Sequence, residues 1–288
     1  MKKIHILNPV AGKGAALKYK SNDYNDLVHI TQSIGDAEDF VYKQCLEEPE
    51  THFVVYGGDG TLNEVVNGIM KSGANKTARI SVVPVGTGND FVKSVQGEVT
   101  VDVMRYNDKY AVNIINIGFD CDVVIETDKI KKKPLISGSL AYILGVVVTL
   151  CKKPTKHFEI CLTDIAENEI TYSDKYLCAV IANGSYYGGG FKAASLARTD
   201  DGILDFMIIK NISRFAFLKL VGDYKKGTHM DKELYRPAKK YIDVINYHRC
   251  KKVRIDKIEY GCVDGEIMGF ESLEIEVIEK AITFCTLQ

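Results

Sequence analysis

The stretch from Phe53 to Ile69 constrains this chain more than any other. A short apolar run, Phe53-Val54-Val55-Tyr56, stops at Gly57-Gly58, turns through Asp59-Gly60-Thr61 and continues with Leu62, Val65, Val66 and Ile69 at helical spacing. The stretch reads as a strand, a tight glycine-rich turn and a helix. The turn aims backbone N–H groups outward, and the helix adds the positive end of its dipole at the same point, which suits a phosphate. Asp59 is the odd member, because its carboxylate repels the anion unless a metal or a hydroxyl stands between. A phosphate loop tipped with an acid points to phosphoryl transfer rather than passive binding.

The flanking sequence extends the same pattern. Lys3–Leu7 reads as a strand, followed by the turn Asn8-Pro9-Val10-Ala11-Gly12-Lys13-Gly14 and a predicted helix from Ala15 to about Ser33. Lys13 invites comparison with a P-loop, but the full G-x-x-x-x-G-K-[ST] pattern is absent. After a turn at Gly35-Asp36, Ala37–Glu47 is predicted helical. Ile80–Pro84 is another strand, running into a second glycine-rich turn, Val85-Gly86-Thr87-Gly88-Asn89-Asp90-Phe91, where Asp90 occupies a helix-capping position. Strands alternating with helices predict a parallel sheet whose glycine-rich loops line one crevice at the carboxyl ends of the strands.

From about Thr100 the texture changes to short β-branched runs, Val99–Met104, Tyr110–Ile117, His157–Leu162, Lys175–Ile181, Leu204–Ile209, Lys252–Tyr260 and Leu273–Ile278. Turn signals such as Asn183-Gly184, Asp201-Gly202 and Asp264-Gly265 separate them, which predicts a mostly β domain, a sandwich, from near residue 102. At 288 residues the chain suits two such domains. Gly138–Cys151 is an apolar helix too short to cross a bilayer, with Lys129, Lys131, Lys132 and Lys133 before it and Lys152, Lys153 and Lys156 after. It reads as a core helix with solvated ends or as a membrane-docking element. Phe215 to about Tyr224 is a second helix candidate.

A formal net charge of −1 gives no overall attraction to nucleic acid, so anionic partners would need local patches. The eight cysteines form no C-x-x-C pair and read as reduced buried thiols, the usage of a cytosolic protein. The N-terminal apolar run ends after four residues at Asn8-Pro9, so it is a first strand and not a signal peptide.

Six stretches in order resemble the diacylglycerol kinase catalytic family, which includes bacterial lipid kinases and the sphingosine and ceramide kinases. They are Asn8-Pro9 with Gly12; Gly57-Gly58-Asp59-Gly60-Thr61-Leu62-Asn63-Glu64; Pro84–Phe91; Ala182-Asn183-Gly184-Ser185-Tyr186-Tyr187-Gly188-Gly189-Gly190-Phe191; Thr199-Asp200-Asp201-Gly202-Ile203-Leu204-Asp205; and Val263-Asp264-Gly265-Glu266. The G-G-D-G-T loop is shared with NAD kinases and is similar to a phosphofructokinase loop; the ordered set is more specific. The resemblance implies an α/β plus β fold. An N-terminal parallel α/β ATP-binding domain, residues 1–102 completed by 281–288, faces a C-terminal β-sandwich with a few helices, 103–280, across the active-site cleft.

The same resemblance implies the roles. Asn8, Pro9, Val10, Ala11 and Gly12, then Gly57, Gly58, Asp59, Gly60, Thr61, Leu62, Asn63 and Glu64, surround ATP. So do Thr31 and, in the second loop, Gly86, Thr87, Gly88 and Asn89. Asp59 and Asp90 organise a catalytic Mg²⁺, while Arg198, Asp201 and Ile203 hold a structural Mg²⁺, although Asp201-Gly202 reads equally well as an ordinary turn. Asp264 or Glu266 is the general base that accepts the proton of a lipid hydroxyl; the residues alone do not choose between them, and apart from the resemblance they read as a hairpin turn with two solvated acids. The implied activity is ATP- and Mg²⁺-dependent phosphorylation of diacylglycerol or a related lipid. The expected enzyme is cytoplasmic and peripheral at an anionic membrane face, with a homodimer conceivable and no nucleic-acid partner. A soluble-metabolite kinase of the NAD type and a nucleotide-binding regulator without turnover are the alternatives.

Overall fold

The computed structural model describes residues 1–19, 26–86, 88–131, 138–152 and 155–286, without side-chain detail for 131 and 138–143. Thr87, Lys132, Lys133 and Lys153 lie outside the described residues, and so does the side chain of Lys131. The first third alternates strand and helix: β1 (Lys2–Leu7), β2 (Leu27–Ile30), α1 (Asp36–Glu47), β3 (Thr51–Gly57), α2 (Asp59–Ser72) and β4 (Arg79–Pro84). Strands β4, β3, β1 and β2 lie side by side in that order, all parallel. Their carboxyl ends therefore emerge on one edge, which carries both glycine-rich loops. Helices α1 and α2 pack Val41, Leu62, Val65 and Ile69 onto Ile4, Phe53 and Ile80.

The remainder begins with β5 (Val99–Tyr106), β6 (Lys109–Ala111), β7 (Ile114–Gly118), α3 (Phe119–Lys131) and α4 (Gly138–Cys151). It continues through β8 (Lys156–Asp164), β9 (Glu169–Ala182), β10 (Leu204–Lys210), α5 (Arg214–Lys226), the two-residue strands β11 (Met230–Asp231) and β12 (Arg236–Pro237), and β13 (Ile245–Asp256). Three strands close the chain: β14 (Tyr260–Val263), β15 (Glu266–Gly269) and β16 (Ser272–Phe284). The sandwich interior is lined by Ile115, Phe158, Ile181, Phe206, Val253 and Leu273, supplied by alternate positions along their strands. The opposite face of β9 and β10 is covered by α3, α4 and α5. β16 runs antiparallel to β13 and β5, then pairs its last residues, Thr283 and Phe284, parallel with Arg79 and Ile80 of β4. One strand thus ties the two halves together.

Two local expectations fail. The helix predicted from Ala15 to about Ser33 is absent from the described residues: 11–19 are short 3₁₀ turns kinked at Gly12-Lys13-Gly14, and Leu27-Val28-His29-Ile30 is the edge strand β2. Its pairing with β1 outweighs a weak helical pattern. Conversely, α3 was not anticipated, because five acids and lysines between residues 120 and 129 obscure the buried positions Phe119, Val123, Thr127 and Ile130 at helical spacing. The eight cysteines are all free thiols; Cys45, Cys121, Cys178, Cys250 and Cys262 are buried, whereas Cys151 is exposed. Among the described residues no helix is long and apolar enough to cross a membrane.

Candidate active site

The two glycine-rich loops touch through their backbones. Gly57 O accepts from Val85 N and Gly86 N at 3.2 and 3.3 Å, and a Cβ on Gly86 would lie 2.5 Å from Gly58 Cα. The first loop joins them, because a Cβ on Gly12 would meet the Val85 carbonyl oxygen at 2.0 Å, and Asn8 Nδ2 donates to Thr61 Oγ1 at 2.9 Å. Gly86→Ala should therefore force the loops apart at a cost of about 1–3 kcal/mol. We expect calorimetry to show weakened ATP binding, and a melting temperature lowered by only a few degrees.

Asp59 opens α2 and is tied to the second loop, its Oδ2 and Oδ1 accepting from Asp90 N and Phe91 N at 3.1 and 3.2 Å. Burial is the main cause pushing its carboxyl up, helped by the neighbouring Asp90 charge and opposed by these N–H groups. Asp90 does not cap the helical turn that follows it. Its Oδ1 meets Lys93 Nζ at 2.6 Å, while its Oδ2 accepts from Gly189 N at 2.7 Å, so the acid clamps the Tyr186–Phe191 loop of the other half. A Cβ on Gly88 would sit 2.9 Å from Asp59 Oδ2 and 3.6 Å from Asp90 Oδ2, which puts both carboxylates at one spot. Lys93, three residues after Asp90, is a partner that only the i,i+3 spacing signals in the sequence.

The chain Val263-Asp264-Gly265-Glu266 is the two-residue turn between β14 and β15, with positive φ at Asp264 and Gly265. The turn sends its two acids to different places. Asp264 is buried, and its carboxylate accepts from Asn63 Nδ2 and Val112 N (both 2.9 Å) and from Asn113 N and Ile114 N (3.0 and 3.1 Å). Burial pushes it up to about 6, against these four donors. Each of its two oxygens thus accepts from two donors of the protein itself. Glu266 is exposed, and its Oε1 would lie 2.8 Å from a Cβ on Gly60, directly over the phosphate loop.

Several of the expected nucleotide contacts also hold groups of the protein itself. Leu62 is fully buried in the core, Asn63 bridges Asp264 and the Tyr110 carbonyl, and the Glu64 carboxylate accepts from Gly35 N and Ala37 N at the start of α1. Thr31 is buried beside β1, its N–H donating to Leu7 O. Val10 is exposed, and Pro9 and Ala11 complete its turn, with Ala11 N donating to Asn8 O. Asn89 holds a positive φ and donates to Gly86 O at 2.6 Å.

Arg198, Asp201 and Ile203 lie around the Asp201-Gly202 turn that precedes β10. Asp201 Oδ2 meets Arg249 at 2.5 Å, its buried Oδ1 has no hydrogen-bond partner, and Arg198 is paired with Asp200. Among the described residues no three His, Cys, Asp or Glu side chains converge as a ready-made metal cage.

The far end of the Tyr186–Phe191 loop turns to the helical layer, where the Tyr187 hydroxyl donates to Asp120 Oδ2 at 2.6 Å. Tyr187 and Phe191 there wall an apolar cavity with Phe119, Val123, Phe217 and Leu220. Asp120, inside that apolar wall, is pushed up to about 6 by burial.

Comparison with known proteins agrees with this layout. Residues 3–116 match the model of the diacylglycerol kinase catalytic domain, and residues 113–286 match that of the YegS C-terminal NAD kinase beta sandwich-like domain. A Shewanella frigidimarina protein named "Probable lipid kinase YegS-like" is 26% identical over 247 residues, 80% of this chain and 75% of its own. A crystal structure of a diacylglycerol kinase from Bacillus anthracis superposes with a TM-score of 0.68 at 19% identity, covering 98% of this chain and 96% of that one. With the second model spanning more than half of its length, the chain belongs to the diacylglycerol kinase catalytic family, in the form completed by a YegS-type sandwich domain.

Proposed function

We propose that this protein is an ATP-dependent lipid kinase that transfers the γ-phosphoryl group to a hydroxyl of diacylglycerol or a related lipid. One observation carries the choice of a lipid acceptor: the Tyr186–Phe191 loop reaches the Asp90 carboxylate at Gly189 and walls an apolar cavity with Tyr187 and Phe191. A single segment thus connects the acidic phosphate site with a small apolar pocket in the helical layer.

In this reading the N–H groups of the first turn of α2, which have no intrahelical acceptors, and the dipole of the helix face the ATP phosphates. The lipid oxygen attacks the γ-phosphorus in line with the departing ADP oxygen. Its proton passes to a carboxylate oxygen of Glu266 as the new P–O bond forms and the bond to ADP breaks. Asp59 and Asp90 fit a Mg²⁺ site, since two adjacent carboxylates beside phosphate oxygens and water are the donor set that ion prefers. When bound, the ion neutralises charge on the transferring group. The unpartnered buried Oδ1 of Asp201 likewise fits a cation at the Asp201-Gly202 turn, away from the reacting atoms.

Incubating the protein with γ-labelled ATP, Mg²⁺ and a total lipid extract, with NAD in a parallel reaction, tests this function. Label should appear in a lipid phosphomonoester. Label in NAD phosphate, or ATP bound without any labelled product, would replace this reading with one of the two alternatives.

A further inference from the structure

The lysines flanking α4 are the expected membrane contact in the sequence, but the described ones are already spent. Lys129 and Lys152 both bind the Glu126 carboxylate, at 2.9 and 2.8 Å, and Lys156 is held by Asp122 at 2.8 Å. A different surface has the opposite character. On α5, Phe215 is 81% and Leu218 60% exposed, one turn apart on the outward side. Around them Arg214, Lys219, Lys225 and Lys226 are exposed, and neither Lys219 nor Lys226 is in a described ion pair. The helix has a single acid, Asp223, which is turned toward Lys240, Tyr241 and Thr228. The exposed face is therefore apolar and cationic with no carboxylate of its own.

The inward side of the same helix matters equally. Phe217, Leu220 and Val221 line the apolar cavity behind the Tyr186–Phe191 loop, and Val146 of α4 closes it from the other side. Val147, next in α4, is half exposed, and Arg214 Nη2 joins α5 to the end of α4 by donating to Cys151 O at 3.0 Å. One helix thus presents bare Phe and Leu to the outside and walls the small apolar pocket on the inside.

We propose that the outward face of α5 docks on an anionic bilayer, Phe215 and Leu218 entering the acyl boundary while Lys219 and Lys226 meet the headgroups. The inference rests on the lipid-kinase reading only for its purpose, which is to bring the cavity to the membrane that holds the acceptor. An exposed aromatic–aliphatic pair ringed by cations and free of acids matches an interfacial helix, whose binding combines apolar burial with attraction to anionic lipid. A protein partner would ordinarily meet a mixed-charge rim instead.

The chain contains no tryptophan, so Phe215→Trp supplies a single, local reporter in the full-length protein. With vesicles of equimolar phosphatidylglycerol and phosphatidylcholine, its emission should shift to shorter wavelength and be quenched by brominated acyl chains, less so at high salt. Phe215→Ser with Leu218→Ser should weaken co-sedimentation with the same vesicles about tenfold or more, whereas Lys129→Ala with Lys152→Ala should change it little. Unshifted emission on bound vesicles, or wild-type co-sedimentation of the double serine variant, overturns the docking face. So does an emission shift that grows with protein concentration when vesicles are absent, because the face would then be an interface between proteins. Phosphorylation of a detergent-dispersed total lipid extract is assayed in parallel. Turnover without the indole shift removes the docking inference alone, and an indole shift with no lipid phosphorylated supports docking while removing the lipid-kinase reading.

Discussion

Glu266→Gln should lower turnover of the lipid acceptor by a factor of about 10² to 10⁴, the usual contribution of a positioned general base. The substitution preserves size and hydrogen bonding while removing the basic oxygen poised over Gly60. The side chain is exposed and belongs to a short edge strand, so the melting temperature should stay close to that of the wild type. ATP affinity should change little as well. The loss then falls on kcat with KM for ATP roughly unchanged, the pattern of an interaction made only in the transition state. A Glu266→Gln enzyme that keeps wild-type kcat on its own acceptor would remove Glu266 from the chemistry.

Asp264→Ala should behave in the opposite way, destabilising the protein by roughly 4 kcal/mol before any question of chemistry arises, because it strands several buried donors at once. Three of the four donors to this carboxylate are consecutive backbone N–H groups of residues 112–114, and the fourth is the amide of Asn63 on α2. The acid is therefore a clamp between the nucleotide-binding half and the strand that enters the sandwich. A loss of that size is a large share of the stability of an ordinary domain. Urea unfolding gives the measurement: the midpoint should drop well below that of Glu266→Gln. A stable Asp264→Ala protein that lacks turnover would instead make Asp264 the proton acceptor and overturn the division of labour between the two acids.

Much of the site is legible in the chain because its parts are local. The Gly57–Thr61 turn, the Gly86–Asp90 turn and the acids at their tips each form within a few residues of one another, and short-range sterics dictate them. The same locality explains the errors. Asp90 stands where a cap would stand, and only the approach of Gly189, 99 residues later, draws its Oδ2 into a bridge between the two halves. Leu27–Ile30 carries a pattern compatible with helix, and only β1 alongside makes it a strand.

The membrane-facing elements show the limit most clearly. Counting lysines selects the ends of α4, yet the count cannot reveal that Glu126, the i,i+3 partner of Lys129 within α3, also draws Lys152, because that second contact joins α3 to the end of α4. The contrast between the two faces of α5 likewise depends on which of its apolar residues the sheet covers.

By itself the sequence determined a strand–glycine loop–helix unit, a second glycine loop, a β-rich remainder and six motifs in family order, since each depends on neighbours a few positions away. Which of Asp264 and Glu266 is buried lay beyond it. They are separated by one glycine, and their fates diverge because β14 pairs with β7, turning the first acid toward the N–H groups of residues 112–114 while the hairpin carries the second over Gly60. Strand register and long-range pairing make that choice, and they exist only in the folded chain.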